Sequence, residues 1–71
     1  MQDIGDARRV HLMEQLAELK TEHRDLDLVI QVLTREASRD QLQLTRLKRK
    51  KLMLKDQIAR IEREIDPDVL A

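Results

Sequence analysis

The sequence predicts an all-α protein, an antiparallel two-helix coiled-coil hairpin, and three observations carry that expectation. Aliphatic residues recur at alternating steps of four and three in two separate stretches, the spacing that lines one side of a helix. The chain holds one glycine and one proline in 71 residues, with 39% charged and 41% hydrophobic residues, a composition typical of long helices. Its net charge of zero is unevenly divided. Residues 1–37 carry five Lys/Arg against eight Asp/Glu and residues 38–71 carry nine against six, so halves of −3 and +3 suit folding against each other.

Length sets the scale. A chain of 71 residues makes a single domain, 1–71, whose core supplies only roughly 3–5 kcal/mol of stability. There is no aromatic residue and no cysteine, so neither ring packing nor disulfides add to that. Repetitive aliphatic packing remains, shared with another copy or another protein. No apolar run approaches the ~20 residues needed to span a bilayer, and the first residues lack the charged, apolar, small-residue order of a signal peptide. The expected location is therefore the cytoplasm, in keeping with the lack of cysteine.

In chain order, residues 1–5 show no periodicity and include the only glycine, which reads as a leader. Asp6 is expected to cap the first helix by accepting a bond from an amide of its first turn. From there Leu12, Leu16, Leu19, His23, Leu26, Ile30 and Leu33 form a seam with six aliphatic members of seven, giving a helix over about 6–36. A turn at 37–39 follows. The second helix, about 39–65, repeats the seam with Leu44, Leu47, Lys51, Leu54, Ile58, Ile61 and Ile65. Ser38 followed by Gln41 fits a capping box, and Asp40 adds negative charge where the helix dipole favours it. Pro67 ends this helix because it pushes Asp66 away from helical angles, leaving 66–71 as a tail.

One alternative architecture competes. Ala37 and Asp40 keep the seam in phase between the halves, and no Gly or Pro lies between Thr34 and Gln41. A single helix of ~90 Å, dimerised in antiparallel fashion, makes the same contacts as a hairpin of ~40 Å. The charges disfavour a parallel pairing, in which Glu22 would face Asp27 and Lys50 would face Lys55. Folding back about 37–39 pairs positions whose numbers sum to about 77. His23 then faces Leu54, and Lys51 faces Leu26, over which its methylenes lie while the ammonium reaches water. Asp27 comes near Lys48 and Glu22 near Lys50, while Lys20 near Lys55 remains a conflict. Each such pair is worth only about 0.2–1 kcal/mol, yet reversing several signs selects a topology.

The segment 46–55 concentrates Arg46, Lys48, Arg49, Lys50, Lys51 and Lys55, with no acidic residue before Asp56. Arg46, Lys48, Arg49, Lys50 and Lys55 are candidates to steer an acidic partner. They also support a rival reading, a nucleic-acid or anionic-surface binder, with affinity falling steeply in salt. The lack of Phe, Tyr and Trp removes the stacking platforms that single strands use. Leu28, Val32, Leu42, Leu52 and Met53 lie off the seam, and a two-helix hairpin has no place to bury them. Together they suggest a broad apolar stripe for self-association or a partner helix, most simply by hairpins pairing into a four-helix bundle.

Metal and catalytic chemistry find no pattern. His23 has Glu22 and Asp27 nearby, but no cysteine, second seam histidine or HExxH spacing completes a ligand set, and His11 is too far along the helix. A polar seam residue that sets register is the expected role. No Gly-rich phosphate loop or paired nucleophile and base is present, so neither an enzyme nor a small-molecule substrate or cofactor is expected.

These residues also carry a resemblance. Glu22-His23-Arg24-Asp25-Leu26-Asp27, then Arg46-Leu47-Lys48-Arg49-Lys50-Lys51-Leu52-Met53-Leu54-Lys55-Asp56-Gln57-Ile58, then the tail Asp66-Pro67-Asp68-Val69-Leu70-Ala71, resemble the YdcH-like family of small bacterial proteins. The likeness covers roughly 16–71, and the basic block is its most specific part. It implies a helical hairpin in a bacterial cytosol with no established biochemical function and no catalytic residues to transfer. Members tend to carry Pro or Gly in the turn, whereas Ala37-Ser38-Arg39 has neither. The combined expectation is a small non-enzymatic protein-interaction module, with partner and pathway unassigned.

Overall fold

Two helices form where the seams predict them: α1 spans Asp6–Arg35 and α2 spans Gln41–Ile65. In this computed structural model the described residues are 5–36 and 40–66. Residues 1–4 of the expected leader, the turn at 37–39 with Ser38, and the tail beyond Asp66 lie outside them. The helices pack against each other within one chain, in a body of 53 × 22 × 15 Å. That shape is a hairpin, the length of one 30-residue helix at 1.5 Å per residue, rather than a single rod.

The helix ends differ from expectation in two places. Asp6 is not the cap of α1 but its first residue, and the cap is Gly5, with φ 79° and ψ 147°. Glycine alone adopts such a positive φ without strain, so the chain enters the helix one residue earlier, with Arg9 N–H bonded to Gly5 O at 3.0 Å. Asp6 still places its charge in the first turn, where the dipole favours it. At the start of α2 the cap is Asp40, whose Oδ1 accepts from the Gln43 amide at 2.9 Å. The helix therefore begins at Gln41 rather than near 39. Aspartate and serine are about equally good caps, and Asp40 stands immediately before the first helical residue, Gln41.

Both C-terminal ends follow the sequence logic. Glu36 leaves helical geometry at ψ 153° while its N–H still bonds Val32 O. Asp66, before the proline, turns extended at φ −144° and donates its N–H to Glu62 O at 2.9 Å.

The core is a file rather than a globule. All fourteen predicted seam residues are buried or half-buried. Leu12, Ile30, Leu44 and Leu54 are the buried ones, spread along both helices, and even Leu12 and Leu54 keep 6% exposure. Two helices share only one line of contact, so flanking residues close the seam from the sides without covering it. Stability then leans heavily on the helix ends as well as on the seam. Replacing Asp40 by Ala removes the cap bond, and a loss of about 1 kcal/mol is expected in urea unfolding followed by helical circular dichroism.

Candidate functional site

Antiparallel packing sorts the residues beside the seam into two flanks of different chemistry. On one side, which we term the lysine flank, Lys48, Lys51 and Lys55 stand over an open cleft of about 780 Å³ whose floor includes Ile30, Ile58 and Ala59. Leu52 forms an exposed lip of the same cleft, and His23 lines it from α1. On the other, the mixed flank, Glu22, Asp25, Val29 and Lys50 line a shallower cleft over Leu26 and Leu54. It continues towards the helix ends beside Glu18, Gln57 and Arg60.

Charge on the lysine flank is partly consumed inside the hairpin. The Lys51 ammonium donates to Asp27 Oδ1, so the seam lysine does not end in water as expected but reaches the carboxylate beside its own seam. Gln31 Nε2 donates to the other oxygen of Asp27 at 3.2 Å. The Lys51 hydrogen bond, aided by its charge and by the Gln31 bond, holds the Asp27 carboxyl below the usual aspartate range, against the opposing effect of desolvation. Lys48, the partner expected for Asp27, forms no ion pair among the described residues. Lys20, expected to conflict with Lys55, instead sits 3.7 Å from Glu62 Oε2. Long flexible side chains reach one or two turns along the opposite helix, so Asp27 pairs with a different lysine from the expected one and Lys20 meets a carboxylate in place of the expected repulsion.

At the open end of the hairpin, Arg8 and Glu64 approach to 3.7 Å and Arg9 donates to Ile65 O at 3.4 Å. Arg60 pairs with Asp56 within α2 at 3.0 Å. Among the described residues no ion pair engages Arg46, Lys48, Arg49, Lys50 or Lys55, five of the six cations of the basic run. The acidic residues Glu14, Glu18, Glu22 and Asp25 are equally unpaired there.

The off-seam apolar residues do not share one face. Leu52 belongs to the lysine flank. Met53, the next residue, is turned by about 100° and falls on the mixed flank with Lys50 and Gln57. Val32 shares that flank with Val29, three residues before it. Leu28 and Leu42 lie at the outer backs of their helices, near the turn. All five are exposed, as are Val10, Met13 and Val29, with exposures from 47% to 65%. Sequence reading missed the last three; Val29 could have been found as an apolar residue immediately beside the seam on the side shared with Glu22.

His23 is half-buried, and its Nε2 is enclosed without a hydrogen-bond partner among the described residues. No group of three His, Cys, Asp or Glu side chains among the described residues converges on a point that could hold a metal ion. No described helix is long and apolar enough to cross a membrane.

These features define a small all-α hairpin whose distinctive chemistry is on its surface: unpaired cations, unpaired carboxylates and exposed aliphatic side chains. The chain belongs to the family described as Protein of unknown function (DUF465), whose model matches residues 16–62, about two thirds of the sequence. The YdcH-like resemblance agrees with that membership. No curated protein and no solved structure matches the chain.

The Asp27 pairing makes a pH prediction. A carboxyl whose folded pKa lies below its unfolded value stabilises the fold above the unfolded pKa, and this contribution is lost as pH falls through the folded pKa. Asp27→Asn should therefore melt below the natural protein at neutral pH. The gap should close as pH drops from about 4 through the lower folded value, measured by thermal circular dichroism across pH.

Proposed function

We propose that this protein is a cytoplasmic, non-enzymatic interaction module, whose hairpin holds a second copy of itself or another helical or acidic protein against residues it cannot bury alone. One observation carries the reading. Among the described residues, eight large apolar side chains are about half exposed or more, against four that are buried. Scattered exposed leucines are ordinary on a large surface, but a hairpin with eight exposed large apolar side chains beside a seam that is itself mostly half-buried has unmet burial to offer a partner.

The mixed flank suits self-association. Its free anions Glu18, Glu22 and Asp25 and its free cations Arg46 and Lys50 lie on one side together with Val29, Val32 and Met53. A surface carrying both signs and an apolar centre is self-complementary, because a two-fold axis sets the acidic part of one copy against the basic part of the other. Two hairpins joined this way form a four-helix bundle and close an apolar interior that a single hairpin lacks.

A second reading has one observation in its favour. The five unpaired cations of the basic run are available to phosphates, and binding through them would release counterions and weaken steeply with salt. The absence of aromatic residues counts against single-strand stacking.

Sedimentation equilibrium separates the possibilities. The natural protein should sediment as more than one copy, and Val29→Glu/Met53→Glu should weaken association by at least about 2 kcal/mol while keeping its helical signal. A natural protein that is monomeric, and whose recovery of partners from lysate disappears with nuclease, would sink this reading and establish the nucleic-acid one.

A further inference from the structure

The lysine flank has a feature that self-association does not use. Its two carboxylates are occupied, Asp27 by Lys51 and Glu62 by Lys20. Lys48 and Lys55 remain without an ion pair among the described residues, so the free charge over this cleft is of one sign. Two copies packed through this flank would bring lysines against lysines, which disfavours a second copy as occupant.

The cleft nonetheless has an apolar floor. Ile30 and Ile58 supply branched aliphatic surface, and Ala59 is small enough for a backbone to approach closely. Leu52, 65% exposed, stands at its edge. His23 brings a buried, unpartnered nitrogen to the same place. Lys48 and Lys55 are seven residues apart on one helix, which spaces them by about 10 Å along the cleft. An α-helix laid beside α1 and α2 repeats its own side chains at the same spacing, so carboxylates one heptad apart meet both lysines while its apolar stripe meets the floor.

We propose that the lysine-flank cleft is the docking site for an acidic amphipathic helix of a different protein, which completes a three-helix bundle with the hairpin. This rests on the interaction-module reading and gives it a heterologous site distinct from the self-complementary mixed flank. Charge complementarity decides the occupant: the floor accepts any apolar stripe, and the lysines select one flanked by Glu or Asp.

The test uses the full chain and a fluorescent synthetic peptide of about three heptads, with leucine along its stripe and glutamate beside it. The same peptide with lysine in place of glutamate is the control. Binding is read by anisotropy at low and at physiological salt. The glutamate peptide should bind and the lysine peptide should not. Lys48→Glu/Lys55→Glu should weaken the glutamate peptide by about tenfold or more, from two attractions turned into two repulsions. Arg46→Glu/Lys50→Glu, on the mixed flank, should change it by less than about threefold, through long-range charge alone. All four residues are exposed and unpaired among the described residues, so helical circular dichroism should be unchanged in both variants.

Equal weakening by the two variants would overturn the cleft assignment, as would equal binding of the two peptides or binding of neither. Duplex DNA bound more tightly than the peptide and lost alike in both variants would overturn it in favour of phosphate recognition. The module reading is tested separately, by the mass of the protein alone together with the nuclease sensitivity of its partners. A self-associating chain that ignores the glutamate peptide would retain the module and lose the site.

Discussion

Everything in this molecule depends on one constraint: two helices share a single line of contact. Each helix can turn only one stripe of side chains towards the other, and here the stripe recurs at alternating steps of four and three. Leu12, Ile30, Leu44 and Leu54 are buried because they lie on that line. Residues next to it are half-covered, and apolar residues elsewhere are exposed. A third or fourth helix would remove the limitation, which is why the surface of the hairpin reads as unfinished.

The same constraint makes the two sides of the hairpin unlike. In an antiparallel pair, residues following the seam on one helix meet the corresponding residues of the other, and residues preceding it meet on the opposite side. Lys20, Asp27, Lys48, Lys55 and Glu62 therefore collect on one flank, while Gln15, Glu22, Val29, Lys50 and Gln57 collect on the other. The first flank neutralises its own carboxylates and is left positive. The second keeps charges of both signs beside valines and a methionine. Two docking chemistries thus arise from one repeat, and neither depends on a turn, a loop or a special backbone conformation.

Polar residues within the seam tie the flanks to the core. Lys51 occupies a position that an aliphatic residue would fill, and its ammonium is received by Asp27 from the facing helix. The pair is half-exposed, so water moderates its worth, but it joins the helices at one level and resists sliding by a turn. His23 occupies the other polar position, and its Nε2 has no hydrogen-bond partner among the described residues, leaving a polar atom that a docked chain can satisfy.

The helices, the seam and the antiparallel sense were legible in the sequence because they follow from periodicity and charge sign, which survive any choice of side-chain rotamer. Ending α2 at Asp66 was legible for a similar reason, since proline constrains the residue before it by local sterics. The tertiary structure decided which partner each charge takes: Lys51 rather than Lys48 for Asp27, and Glu62 for Lys20. It also decided that Gly5 and Asp40 are the caps. A lysine reaches several positions on the opposite helix, and good capping residues stand near one another in the chain. Such near-equal choices are settled by distances in three dimensions, which a repeat in the sequence does not contain.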